Sequence, residues 1–183
     1  MSLWELPEQA QIGGKTYRIH GDFRDILEIF GYLNDPDLPE MFRWRVALAL
    51  FYEGEIPKEH RLEAVEYLCR FLRCGQEDRP GPRLLDWEQD AAVIVAGVNA
   101  VAGKEIRALP YVHWWTFLSW FSAIGQGELA TLVSLRSKLS RGQKLCDWEQ
   151  DYYRQNRKKV DLKPRYSAEE TAERARLLAL LES

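Results

Sequence analysis

Tyr111-Val112-His113-Trp114-Trp115-Thr116-Phe117-Leu118-Ser119-Trp120-Phe121 is the stretch that decides the fold class. Pro110 precedes it and Gly125-Gln126-Gly127 follows, so it reads as a helix from about Tyr111 to Ile124. Thr116, Ser119 and Ser122 are its only polar relief. A helix with so little polar surface has to be covered by other elements. The segment ahead of it points the same way. Ala91-Ala92-Val93-Ile94-Val95-Ala96-Gly97-Val98 has almost no polar side and many small residues, which predicts a central helix that its neighbours approach closely. Its start is placed at Asp86, with Gln89 three positions on as a capping box and Glu88 where the helix dipole is positive.

Outward from this pair the periodicity stays helical. Phe23, Ile26, Leu27, Phe30 and Leu33 recur at three- and four-residue steps after a capping Asp22, until Asn34-Asp35-Pro36 breaks the chain. A second helix is expected over about Pro39–Glu53 with Met41, Phe42, Val46, Leu48 and Leu50. A third is expected over about Pro57–Cys74 with Leu62, Val65, Leu68, Cys69 and Leu72, ending at Gly75. Gln76–Arg83, with Pro80-Gly81-Pro82, reads as loop. Beyond the aromatic segment, Glu128–Leu139 and Asp147–Lys159 give a sixth and a seventh helix. Pro164 separates them from an amphipathic helix, Ala168–Glu182, that Ser167 and Glu170 introduce as a second capping box.

Only the first twenty residues alternate. Gly13-Gly14 lies between two extended runs that carry Ile12, Tyr17 and Ile19, and two glycines accept the positive φ of a tight turn, so a β-hairpin is expected at about 10–20. Two strands are marginal alone and must pack on the helices next in the chain. The expected fold is therefore mainly α: a compact multi-helix bundle with a short N-terminal β-hairpin, one domain over 1–160, and a C-terminal helical arm over 161–183.

One repeat stands out. Asp86-Trp87-Glu88-Gln89-Asp90 recurs letter for letter as Asp147-Trp148-Glu149-Gln150-Asp151. The flanks differ, Ala91-Ala92 against Tyr152-Tyr153, so the strings read as two similar helix caps rather than a duplicated domain.

Composition narrows the function. The chain has 183 residues, 46% hydrophobic and 29% charged, as in soluble globular proteins, but Trp 7, Tyr 8 and Phe 7 are an excess of aromatics that calls for a large interior or an adhesive surface. A net charge of -3 argues against a nucleic-acid binder, although Arg136–Arg165 holds ten basic residues against four acidic, an asymmetry that suits self-association. No apolar run reaches bilayer length and the N-terminus lacks the basic start of a signal peptide, so a soluble protein of the cytoplasm is expected.

Chemistry is scarce. Cys69, Cys74 and Cys146 have no paired spacing, and His20, His60 and His113 are scattered, so neither a metal site nor a disulfide framework is expected. Asp86 and Glu88 point about 200° apart on a helix, so they do not converge on an ion. No G-x-S-x-G, P-loop, dinucleotide or H-E-x-x-H motif occurs, and His113 stands without a visible partner. No catalytic residue and no cofactor is assigned. The candidate residues are the aromatics Trp114, Trp115, Phe117, Trp120 and Phe121, whose surplus face is available to a partner helix.

Several strings in order resemble the bacteriophage gene-product-fifteen family of Gram-positive siphophages and prophages. They are the hairpin with Asp22-Phe23-Arg24, Asp86-Trp87-Glu88-Gln89-Asp90-Ala91, Tyr111-Val112-His113-Trp114-Trp115-Thr116-Phe117, Val133-Ser134-Leu135-Arg136 and Glu149-Gln150-Asp151-Tyr152-Tyr153. The His-Trp-Trp-x-Phe string is the most specific, and the whole covers roughly Tyr17–Lys159. The resemblance implies a small helical tail-module protein, a tail-assembly chaperone. Such a protein would bind the tape-measure protein in the bacterial host cytoplasm, assist the tail-tube protein in assembling around it, and be absent from the virion; a homo-oligomer is allowed by the charge asymmetry above, not implied by the family. The alternative is a structural tail or connector subunit. The family brings no catalytic or ligand residues, and this sequence departs from it after Pro164.

Overall fold

The computed structural model describes residues 4–76, 81–167 and 169–170. The chain is mainly α with a short β-hairpin. Its contacts divide it into two compact units, residues 1–76 with 164–183 and residues 77–163, where the sequence pattern draws one body over 1–160.

In the first unit β1 (Gln9–Ile12) pairs antiparallel with β2 (Lys15–Arg18), Ala10 opposite Tyr17 and Ile12 opposite Lys15. Gly13 and Gly14 make the two-residue turn at φ 57° and 77°, the conformation that favours glycine at both positions. Three helices come after it: α1 (Phe23–Leu33), α2 (Glu40–Phe51) and α3 (Arg61–Leu72), the last entered through a 3₁₀ turn at Lys58–His60. Asp22 caps α1 as expected, its Oδ1 accepting from the Arg24 N–H at 2.9 Å.

The hairpin is anchored on α3. The Gly13 N–H donates to Glu63 Oε2 at 2.9 Å and the Tyr67 hydroxyl donates to the Gln9 carbonyl at 2.8 Å. A Cβ on Gly13 would run into the His60 ring, so a side chain there would have to displace that ring as well as accept the positive φ. Ala10, Ile12 and Tyr17 are buried in the same unit as Phe51, Tyr52, Leu68 and Phe71. Phe51 meets Tyr52 and Phe71 at ring-centroid distances of 4.8 and 4.9 Å, and the Tyr52 hydroxyl donates to the Ala64 carbonyl at 2.8 Å. The aromatic excess is thus divided between the units, not concentrated in one helix.

Two helix faces differ from the expectation. On α2, Ala47, Leu48 and Phe51 are buried, while Met41 is 79% and Phe42 47% exposed. On α3 the buried residues are Ala64, Leu68 and Phe71, and Leu62 stands out in solvent. Apolar side chains follow the helical period on both sides of α2, so the sequence alone does not say which side is covered.

The second unit holds α4 (Ala91–Ala102), α5 (Trp114–Ser122), α6 (Glu128–Ser140) and α7 (Asp147–Val160), with a 3₁₀ turn at Ile106–Ala108. Helix α4 packs on α5 and α6. It begins at Ala91, not Asp86, and buries only Ile94 and Val98, while Ala91, Ala92, Ala96 and Ala100 are exposed. Close approach does occur at Gly97, where a Cβ would lie 2.8 Å from Ile124 Cδ1. Asn99, which interrupts the apolar run, closes the turn after α4. Its Oδ1 accepts from the Ile106 N–H and its Nδ2 donates to Glu105, each at 2.9 Å.

A smaller core joins α6 to α7 through Leu132, Leu135 and Val160, with Val93, Leu145, Tyr152 and Tyr153 against it. Helix α7 is kinked at Asn156, whose side chain donates to the Tyr152 carbonyl. The expected box at Ser167 and Glu170 makes both of its bonds, at 2.8 and 3.1 Å. The rest of the expected Ala168–Glu182 helix lies outside the described residues, as do residues 77–80 of the Gln76–Arg83 loop.

Candidate functional site

The α5 aromatics are laid out by a histidine. His113 is the N-cap, buried, and its Nδ1 accepts from the Trp115 N–H at 3.1 Å. An imidazole acceptor takes the place usually held by Ser, Thr, Asp or Asn, which gives the residue a defined role at the helix start. Trp114 stacks on Phe117 with centroids 5.5 Å apart, and Trp87 joins from outside the helix, 5.7 Å from Trp114 and 5.3 Å from Phe121.

Three of the five candidate partner residues, Trp114, Trp115 and Phe117, are buried at 1%, 5% and 1% exposure. Trp120 and Phe121 are half-buried and keep part of their surface accessible. Trp87 sits in the Asp86 cap string yet belongs to the α5 ring cluster. Its one visible signal was its place beside Asp86, which the turn geometry fixes.

The centre of the second unit is polar, and it is the feature that sequence reasoning missed. Asp90 and Arg136 form an ion pair in which both side chains are at most 4% exposed. Arg136 Nη1 and Nη2 donate to the two carboxylate oxygens at 2.6 and 2.8 Å. The remaining donors reach the carbonyls of Val160, Leu84 and Lys159 at 2.8, 3.0 and 2.7 Å. All five guanidinium N–H groups are thereby used, which is what makes a buried cation tolerable.

One side chain of α6 therefore holds the start of α4 and the end of α7. Asp86 completes the node: its own N–H donates to Asp90 Oδ2, its Oδ1 accepts from the N–H groups of Glu88 and Gln89, and its Oδ2 pairs with Arg83. Half of the expected Asp86–Gln89 box forms, through the Gln89 N–H, and Asp90 in place of the Gln89 side chain accepts from the Asp86 N–H. Gln89 instead donates to the Asp161 carbonyl and accepts from the Lys163 N–H, each at 2.9 Å.

Five of the ten basic residues of Arg136–Arg165 pair with carboxylates inside the unit. Besides Arg136, Lys138 pairs with Glu149, Arg154 with Asp151, Arg157 with Asp161 and Lys159 with Glu128. The Lys138 ammonium and the Cys146 N–H hold the Glu149 carboxyl below the usual carboxylate range. No group of three or more His, Cys, Asp or Glu side chains suited to a metal occurs among the described residues. Among the same residues no helix is long and apolar enough to cross a membrane.

The first unit carries an open groove of about 420 Å³. Leu48, Tyr52 and Ile56 line it, with Arg45, Glu55 and Arg61 supplying its charges. Burial pushes the Tyr52 phenol above its ordinary value, so this residue stays neutral. Neither the Arg45 nor the Arg61 guanidinium has a hydrogen-bond or ion-pair partner among the described residues.

The sequence model of the family described as Bacteriophage Gp15 protein matches residues 4–162. The chain belongs to this family. The match takes in the hairpin, helices α1 to α7 and the Asp90–Arg136 node, and it ends at residue 162. No curated protein and no solved structure matches the chain at a significant level.

Proposed function

We propose that this Gp15-family protein is a tail-assembly chaperone that acts by binding rather than catalysis. In this reading it holds the long helical tape-measure protein soluble in the bacterial host cytoplasm while tail-tube subunits assemble around it, and several copies act along one client. The observation that supports it best is the apolar surface left open on helices: Met41 and Phe42 on α2, Leu62 on α3 and Trp148 on α7. A protein with no use for such surface gains solubility by losing it, and an amphipathic client helix is a natural cover. On α5 the accessible parts of Trp120 and Phe121 are the contact candidates, with Trp114, Trp115 and Phe117 supporting them from the buried side.

Co-expression with the tape-measure protein tests the proposal. The expected outcome is a soluble complex that co-purifies, together with virions in which mass spectrometry finds none of this chain. An insoluble client with no co-purification contradicts it. Stoichiometric presence in the virion would favour the structural tail or connector subunit instead.

A further inference from the structure

We infer that the groove beside α2 is a docking site for an amphipathic helix that carries carboxylates next to its apolar stripe. The site rests on the helix-binding part of the function proposed above and specifies its chemistry.

Three observations converge on this occupant. First, the groove does not end at its walls. Met41, Arg45 and Ala49 are spaced by four on α2 and all are exposed, so they form one face with Arg45 and Ala49 at the groove and Met41 a turn before it. Phe42, three before Arg45, widens that face. The surface is apolar and elongated, matching a helix more closely than a small molecule, while the groove itself has the volume of an ordinary side-chain or ligand pocket.

Second, the rim is cationic and uncommitted. The guanidiniums of Arg45 and Arg61 are unpaired among the described residues, whereas Arg18 pairs with Glu53 and Arg24 with Asp22. Guanidinium forks are well suited to carboxylates, and burying them against a partner without such a group would strand their charge. Third, Glu55 stands on the same rim, leaving a single net positive charge. That suits isolated carboxylates on a helix and is a poor match for a polyanion such as nucleic acid.

The surroundings make the test sharp. Residues 4–76 hold nine basic against thirteen acidic side chains, so the general field of the unit favours a basic peptide. A preference for an acidic one isolates the groove.

The experiment measures fluorescence anisotropy of the full-length chain with a dye-labelled designed peptide of about 18 residues, long enough to hold a helix, with leucines on one face and flanking glutamates. Its control has lysine at every glutamate. The acidic peptide is expected to bind saturably and at least about tenfold more tightly than the control. Arg45→Glu with Arg61→Glu is expected to remove that preference, and Met41→Ser with Phe42→Ser to weaken both peptides. Circular dichroism checks that each variant is folded, as expected for the exposed Met41, Phe42 and Arg45 and the half-buried Arg61.

Equal binding of the two peptides, or a preference untouched by the arginine variants, overturns the assignment. So does a concentration-dependent dimer abolished by Met41→Ser, because a second copy would then be the occupant. Co-expression with the tape-measure protein separates the two levels. A complex lost only in the arginine double variant supports the site. A complex kept by that variant leaves the chaperone role standing and refutes the site, while no complex with the wild-type chain refutes the role itself.

Discussion

In Asp86–Asp90 the tryptophan of Asp-Trp-Glu-Gln-Asp packs against Trp114, Phe117 and Phe121, whereas in Asp147–Asp151 the same tryptophan is 59% exposed. The other letters diverge as well. Glu88 is exposed, but Glu149 is buried and joins Lys138 to the Cys146 N–H. Asp90 lies in the buried pair with Arg136, while Asp151 meets Arg154 at the surface.

The cause is a shift of register against the helix start. In the first copy Asp86 caps a turn and α4 begins five residues later at Ala91. In the second, α7 begins at Asp147 itself, one residue after the cap position of Cys146. Capping chemistry is local and is satisfied by both copies. Which letter faces the core depends on what the helix packs against.

The sharpest way to break the comparison is at its buried end. Arg136→Met leaves the buried Asp90 carboxylate without its counter-ion and takes the guanidinium donor from three carbonyls, so urea unfolding should report a loss of about 3–5 kcal/mol. A loss near that of a surface change would mean that the pair does not organise the unit. Arg154→Met at the matching surface pair should cost less than about 0.5 kcal/mol. Trp87→Ala is the next largest, about 3 kcal/mol, because it opens a gap among three rings. Trp148→Ala should change stability by less than about 0.5 kcal/mol, and a larger effect would show that the two tryptophans are not as different as their exposure says.

His113→Ala should cost about 1 kcal/mol through the lost cap, with His113→Asn restoring most of it. The smallest effect is a pH dependence. The folded pKa of Glu149 lies below its ordinary value of 4.5, so its contribution is present at neutral pH and is lost as pH falls below about that value through the lowered one. Acid titration of Glu149→Gln should therefore be flatter than wild type over that range, measured by circular dichroism, and identical profiles would remove Glu149 from the account.

The fold was legible wherever local chemistry is decisive. The Gly13-Gly14 turn, the Asp22 cap, the Ser167–Glu170 box and the helical periods all appear at or near their expected residues. What escaped was long-range. Arg136 counted in the sequence as one cation of a basic stretch, and nothing in its neighbourhood marks it as buried 46 residues from its partner. Trp87 was hidden by a string that also explains itself as a cap. The exposed side of α2 was unreadable for the opposite reason: Met41 and Phe42 fit a core helix as well as Leu48 does, and only the packing of the chain decides which face stays open. Of the candidate site, the aromatic helix was found by composition, but its division into buried Trp114, Trp115 and Phe117 and accessible Trp120 and Phe121 needed coordinates.

The central claim is that a phage client helix is held on open apolar surface of this Gp15-family chain. Amide hydrogen exchange of the full-length protein, with and without a soluble segment of the tape-measure protein, tests it most directly. The account predicts slower exchange over α2 and the groove residues Gly54–Arg61 when the segment is present. Unchanged exchange along the whole chain would contradict it.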